Sequence, residues 1–152
     1  MMIPLNFPPA NLVISTTDQS VIVFDRIRRR HVALTPEEWV RQHLIHYLVE
    51  HRGYRPSLIS VEAKLKLNRM TRRADVVCWV DPNSKPWLVA ECKAPEVDLS
   101  QMVLDQALRY NMVLNAKYVL ITNGLIHVCY EMPGSGTTAK MIGVIPDAPS
   151  FI

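Results

Sequence analysis

Apolar and polar positions alternate along the chain in a way that predicts a helix, three strands, a second helix and a closing strand pair, with weaker strand patterns at both ends. Val21 to Asp25 and Ile27 to Leu34 read as strands, a hairpin added to the sheet, behind a Pro-containing arm that covers the first eleven residues. Thr35-Pro36-Glu37-Glu38 is a helix start, with Thr35 as N-cap, Pro36 at the first helical position and Glu38 placed to close a capping box. The helix runs to about His51 and stops near Gly53, and its apolar stripe is Val40, Leu44, Tyr47 and Leu48. Leu58 to Leu65 is the first core strand. Asp75 opens the second, Val76 to Val80, which the turn Asp81-Pro82-Asn83-Ser84 joins to Trp87 to Lys93. Beyond Pro95, a cap at Asp98 or Ser100 starts a helix over Leu99 to Asn115, with Leu99, Val103, Ala107, Tyr110, Val113 and Leu114 as its apolar face. Lys117 to Thr122, the Asn123-Gly124 turn and Leu125 to Tyr130 close the sheet; Thr138 to Val144 reads as an edge strand and the end from Pro146 as a loose tail.

Five polar residues break this pattern, and a sixth does so more weakly. Strand side chains alternate faces, so Glu91 and Lys93 point the same way while Cys92 turns to the other side, and two adjacent antiparallel strands bring Asp75 near Glu91. On the first helix Glu37 lies near the centre of the apolar stripe; Glu38 sits to the side and is explained by capping, which leaves it as the fallback. Gln106 falls on the apolar face of the second helix, one turn before Tyr110, and needs polar partners there. Glu62 shares a polar face with Ser60 and Lys64 and is a weaker candidate.

At 152 residues the chain fits one domain: an arm over 1–11, a β extension over 12–34, a core over 35–131, and an edge strand and tail over 132–152. Its 49% hydrophobic and 20% charged content exclude a disordered chain, and the absence of a long apolar run or signal-like start leads us to expect a cytoplasmic protein with no membrane partner. Cys78, Cys92 and Cys129 each lie in an apolar strand without Cys-x-x-Cys spacing, so free buried thiols are expected, and any metal should be held by oxygen. His43 and His46 lack further ligands on their helical face and read as surface residues. Net charge is +3, gathered in two basic groups, Arg26, Arg28, Arg29, Arg30 and His31, then Lys64, Lys66, Arg69, Arg72 and Arg73. Beside carboxylates, such clusters suit phosphate contacts, with Arg28, Arg29, Arg72 and Arg73 as the nucleic-acid-binding candidates.

Asp75, Glu91-Cys92-Lys93, the helix with Glu37 and the helix with Gln106 and Tyr110 together resemble the PD-(D/E)xK nuclease superfamily. Within it, Pro36-Glu37-Glu38-Trp39-Val40-Arg41-Gln42, Glu91-Cys92-Lys93-Ala94-Pro95, the Gln-x-x-x-Tyr pair and Thr122-Asn123-Gly124 resemble the N-terminal nuclease domain of type I restriction enzyme R subunits. Ala74 stands where many members have Pro. The resemblance implies an α/β, restriction-endonuclease-like αβββαβ core with a mixed central sheet, flanked by helices and by extra strands at both ends. It further implies a Mg2+-dependent DNA endonuclease (Mn2+ substituting) in which Asp75, Glu91 and the backbone carbonyl of Cys92 hold metal. Lys93 would orient or deprotonate water, Glu37 would be a further catalytic acid, and Gln106 and Tyr110 would border the site. DNA is the expected substrate and motor or specificity subunits, or a second copy of the chain, the expected partners; with no Gly-x-x-x-x-Gly-Lys loop, translocation is not expected from this stretch. The alternative is a non-cleaving nucleic-acid-binding or assembly subunit on the same fold.

Overall fold

In the computed structural model, residues 2–67, 70–133 and 138–150 are described, and the elements follow the predicted order. Strands β1 (Ile14–Thr16), β2 (Val21–Asp25) and β3 (Arg30–Ala33) precede helix α1 (Pro36–Arg52). Three strands follow, β4 (Ile59–Leu67), β5 (Met70–Trp79) and β6 (Pro86–Cys92), then helix α2 (Gln101–Leu114), β7 (Tyr118–Thr122), β8 (His127–Glu131) and β9 (Lys140–Ile142). The six strands β4 to β9 form one sheet in chain order; only the β6·β7 pair is parallel, because α2 carries the chain across between them. The sheet is therefore mixed, as expected.

Each face of the sheet is covered by one helix. Val40, Leu44, Ile45 and Leu48 of α1 pack on Val76, Cys78, Leu88, Ala90, Cys92 and Leu120, the positions of one strand parity. On the other face Leu104 and Ala107 of α2 meet Val119, Ile121 and Tyr130, while Val77 and Val89 pack against Ala116. All three cysteines are buried and free, as predicted. Burial pushes the Cys129 thiol up to about 12 and holds Cys78 and Cys92 above the ordinary thiol range as well.

Three expectations need correction. The N-terminal strands do not extend the main sheet; they form a separate sheet in the order β1-β2-β3. Asp25, the last residue of β2 and paired with Arg30 of β3, turns its side chain inward to a charged network on α1. The arm and the tail, though irregular, are both docked. Asn6 N–H donates to Gly124 O, Trp39 Nε1–H to Ile3 O, and Phe7 packs on His127 and Tyr47. At the other end Ala148 N–H donates to Arg52 O, Tyr54 O–H to Pro146 O, and Arg52 pairs with Asp147.

The turn after β7 ties these parts together. Gly124 has φ +86°, and a Cβ there would lie 2.7 Å from Leu5 Cδ2 and 3.1 Å from Val40 Cγ2. Asn123 accepts from Leu125 and Ile126 N–H and donates to Val97 O in the loop that follows β6. Thr122 O accepts from Lys93 N–H. The Thr-Asn-Gly motif is thus a brace for the strand end that carries Glu91 and Lys93.

Candidate active site

Pairing between β5 and β6 reaches Val76 with Ala90, and Asp75, midway along β5, and Glu91, near the end of β6, each lie one residue beyond it. Alternation sends both toward the α2 face, where they line one cavity of about 280 Å³ with Tyr110, Ala107, Asn111 and Arg73. Asp75 Oδ2 accepts from the Cys92 N–H at 2.8 Å, so one strand's backbone fixes the other strand's carboxylate. Lys93 Nζ lies 3.1 Å from Glu91 Oε1, with both side chains about one-third exposed. The structure therefore brings Asp75, Glu91 and Lys93 to one strand end.

Helix α1 supplies the rest. Its start follows the sequence: Thr35 is extended and accepts from the Glu38 N–H, and Pro36 follows. The reciprocal half of the capping box is missing, because the Glu38 carboxylate is drawn into a buried network. Arg28 Nη2 and Arg41 Nη1 each donate to Glu38 Oε1 at 2.7 Å, and Gln42 Nε2 bridges Glu38 Oε2 and Asp25 Oδ2. Arg28 Nε also lies 2.6 Å from Asp25 Oδ2. Arg41 Nη2 then reaches forward to Glu37 Oε1 at 2.9 Å and Asp75 Oδ1 at 3.0 Å.

Glu37 thus takes the forward position and Glu38 the rear one. Burial holds the Glu37 carboxyl above its ordinary range; the Asp75 charge adds to this, and Arg41 and Lys93 pull the other way. For Arg41, burial acts to lower the pKa, but Glu38 and Asp75 outweigh it and the guanidinium is held more firmly charged than usual. In Asp25, burial is likewise overcome, by backbone and side-chain hydrogen bonds from Arg28, and the carboxyl is held below its ordinary range.

Two candidates sit elsewhere than expected. Gln106 is exposed, because Leu104, Ala107 and Asn111 form the buried stripe of α2 and rotate the helix relative to the expected face. Asn111, missed in the sequence, is occupied by Ala116, whose N–H and C=O it bridges just past the helix end. Arg28, expected at phosphate, is instead enclosed by Asp25, Glu38 and Glu62 with only 12% of its side chain exposed. Arg29 and Arg73 are exposed; Arg69 and the side chains of Arg72 and Lys66 lie outside the described residues.

Glu62 was undervalued. Val61 pairs with Val76 and Ala63 with Ala74, so Glu62 stands opposite Asp75, yet its φ is +52°. A left-handed backbone in a charged residue breaks the alternation that placed it on a polar face. Its carboxylate lies 3.5 Å from Arg28 and 4.0 Å from Arg41. Glu37, Glu38, Glu62, Asp75 and Asp25 accordingly surround two guanidiniums, an excess of acid at this strand end.

Among the described residues no three His, Cys, Asp or Glu side chains form a set that could hold a metal alone. Two carboxylates, a main-chain carbonyl and water are nonetheless a donor set suited to magnesium, which takes oxygen ligands and keeps several waters. The seating of a guanidinium on Asp75 and an ammonium on Glu91 is consistent with carboxylates that attract cations. The residues fit such an ion.

A family model described as Type I restriction enzyme R protein N terminus matches residues 36–146. The chain belongs to this family. The matched span runs from Pro36, at the start of α1, through every strand and helix of the six-stranded sheet. Among solved structures, the R-family domain described here is similar to a fragment of an HsdR subunit of a type I restriction enzyme from Vibrio vulnificus YJ016, with a TM-score of 0.53 and 20% identity. That similarity covers 76% of this chain and 24% of the other, so the chain spans about a quarter of that protein's length. At this identity the likeness concerns fold. A comparison with curated proteins found no match. No helix among the described residues is long and apolar enough to cross a membrane.

Proposed function

We propose that this R-subunit N-terminal domain is a divalent-metal-dependent DNA endonuclease. The observation that supports the reading best is the convergence of Asp75 and Glu91 on one cavity, with Lys93 on Glu91 and with Glu37 facing Asp75 through Arg41. A phosphodiester is anionic, so its hydrolysis needs a strong nucleophile and a way to carry charge on the leaving alkoxide. A bound Mg2+ or Mn2+ would supply both by lowering the pKa of water and neutralising phosphate charge.

The chain's own residues do the rest of the work. Asp75, pinned by the Cys92 N–H, and Glu91 present oxygens from adjacent strands without large rearrangement. Lys93 is placed to orient an attacking water, help deprotonate it, or stabilise charge as the phosphate reacts. Tyr110 borders the same cavity, and Gln106 stands one turn away on the solvent side, where a bound strand can be reached.

Exposed bases extend from this site. Lys64 pairs directly with Arg73 across β4 and β5, an arrangement that costs stability unless an anion lies over it. With Arg29 and Arg30 these residues would follow the DNA backbone, and motor and specificity subunits would supply movement and sequence choice.

The deciding experiment is cleavage of plasmid and single-stranded DNA with Mg2+, Mn2+ or EDTA. Cleavage should require metal and fall at least about a hundredfold in Asp75→Asn and Lys93→Gln, the usual scale for losing a group that acts on the reacting atoms. Salt-sensitive DNA binding with no cleavage, unchanged in both variants, would instead support a binding or assembly subunit.

A further inference from the structure

Arg41 occupies an unusual place. Only 5% of its side chain is exposed, its Nε is buried without a partner, and its two terminal nitrogens donate to three carboxylates, with a fourth, Glu62, 4.0 Å away. A buried donor left unsatisfied is unfavourable, so the guanidinium is held in this orientation by its carboxylate contacts and not by full hydrogen bonding. Two of those contacts come from its own helix, Glu37 at i−4 and Glu38 at i−3. Together they orient the guanidinium so that Nη2 faces Asp75.

Asp75 in turn is held on its other oxygen by the Cys92 N–H and has Glu62 opposite it in register. It is not placed to follow Arg41 away. Among the described residues, the positive charges around these acids are Arg28 behind, Arg41 between, Arg73 on the cavity wall, and Lys93 in front on Glu91.

We infer that Arg41 is a resident counterion that competes with the divalent cation for Asp75 and Glu37, so that metal enters this site by loosening the Arg41 contacts. The inference rests on the metal-binding reading given above and adds a residue that sets how tightly the ion is held. Before metal arrives, Arg41 keeps like charges together in the folded chain. Once metal shares Asp75, the same guanidinium opposes it. Removing one positive charge from beside a divalent ion is worth about tenfold in affinity even at the dielectric of water.

Calorimetric titration of the full chain with Mg2+ and Mn2+ at low ionic strength tests this, alongside melting temperatures with and without metal. Wild type should bind and Asp75→Asn should not. Arg41→Gln should bind about tenfold more tightly than wild type, with a larger rise in melting temperature on adding Mg2+. Arg41→Lys, which keeps the charge, should stay within about threefold of wild type. If Arg41→Gln is unfolded without metal, refolding on adding Mg2+ supports the inference. A chain that stays unfolded at saturating Mg2+, or that folds and binds metal as wild type does or more weakly, overturns it. A separate result, Asp75→Asn binding as wild type does, removes the metal reading itself and the inference with it.

Discussion

Gln106 shows how a residue's environment decides what its removal means. It is exposed, on the solvent side of α2 and one turn from the cavity-lining Tyr110. Gln106→Ala should therefore leave stability within about 0.5 kcal/mol of wild type, as for an ordinary surface change. DNA affinity or cleavage should fall by much more if the side chain meets a bound strand. Equal and small changes in melting temperature and cleavage rate would count against any role there. The same residue marks where sequence reading went astray. Helical periodicity located α2, but Leu104 packs on Val119, Ile121 and Tyr130, and this sets the rotation of the helix in a way that Gln106 and Tyr110 alone do not disclose. Asp75 and Glu91 were easier, because alternation on two strands joined by a short turn leaves little freedom. Glu62 was hidden by its left-handed backbone, which nothing in a Val-Glu-Ala stretch announces. Arg41 was hidden too: an arginine in a helix reads as surface until the acids around it are placed in space.

Elements rather than single residues explain why the site stays open at a strand end. The β7 to β8 turn holds the arm through Gly124, the β6 exit loop through Asn123 and the Lys93 backbone through Thr122. Its glycine combines φ +86° with close contact to Leu5 and Val40. Gly124→Ala should destabilise by about 1 to 2 kcal/mol from backbone strain alone. Displacement of Leu5 adds to this, and the arm should become cleavable by protease under conditions where wild type resists. A melting temperature equal to wild type, with the arm still protected, would show that the turn does not bear this load. At this scale the sequence was a good guide to element order, since caps, turns and periodicity are local. It was a poor guide to the docking of arm and tail, whose contacts run to residues more than ninety positions away.

Acid titration acts on the molecule as a whole, and the directions of the shifts predict two stages. His43 and His127 are both held below the ordinary histidine range, chiefly by burial, so the unfolded chain takes up their protons first. Their stabilising contribution is present at neutral pH and is lost as pH falls through the unfolded value of about 6.5 toward the folded ones. Glu37, held above its range, acts in the opposite sense and offsets part of this loss as it protonates. Asp25, held below its range, contributes above about pH 4 and loses that contribution as pH falls through its folded value. Melting temperatures from pH 7.5 to 3 should drop by a few degrees near pH 6, then steeply below pH 4. His43→Gln should weaken the first step, and a flat profile down to pH 4 would contradict the assignment.

The parallel pairing of β6 with β7 has a further consequence, for the order in which the chain acquires its chemistry. Leu88 through Cys92 find their partners at Tyr118 through Thr122 only after the loop and helix between them have closed, whereas β4, β5 and β6 can join through local turns. Long-range closure of this kind is slow relative to hairpin formation. The β5–β6 hairpin consequently brings Asp75 beside Glu91 early, whereas the support that β7 gives to the strand end bearing Glu91 and Lys93 comes late.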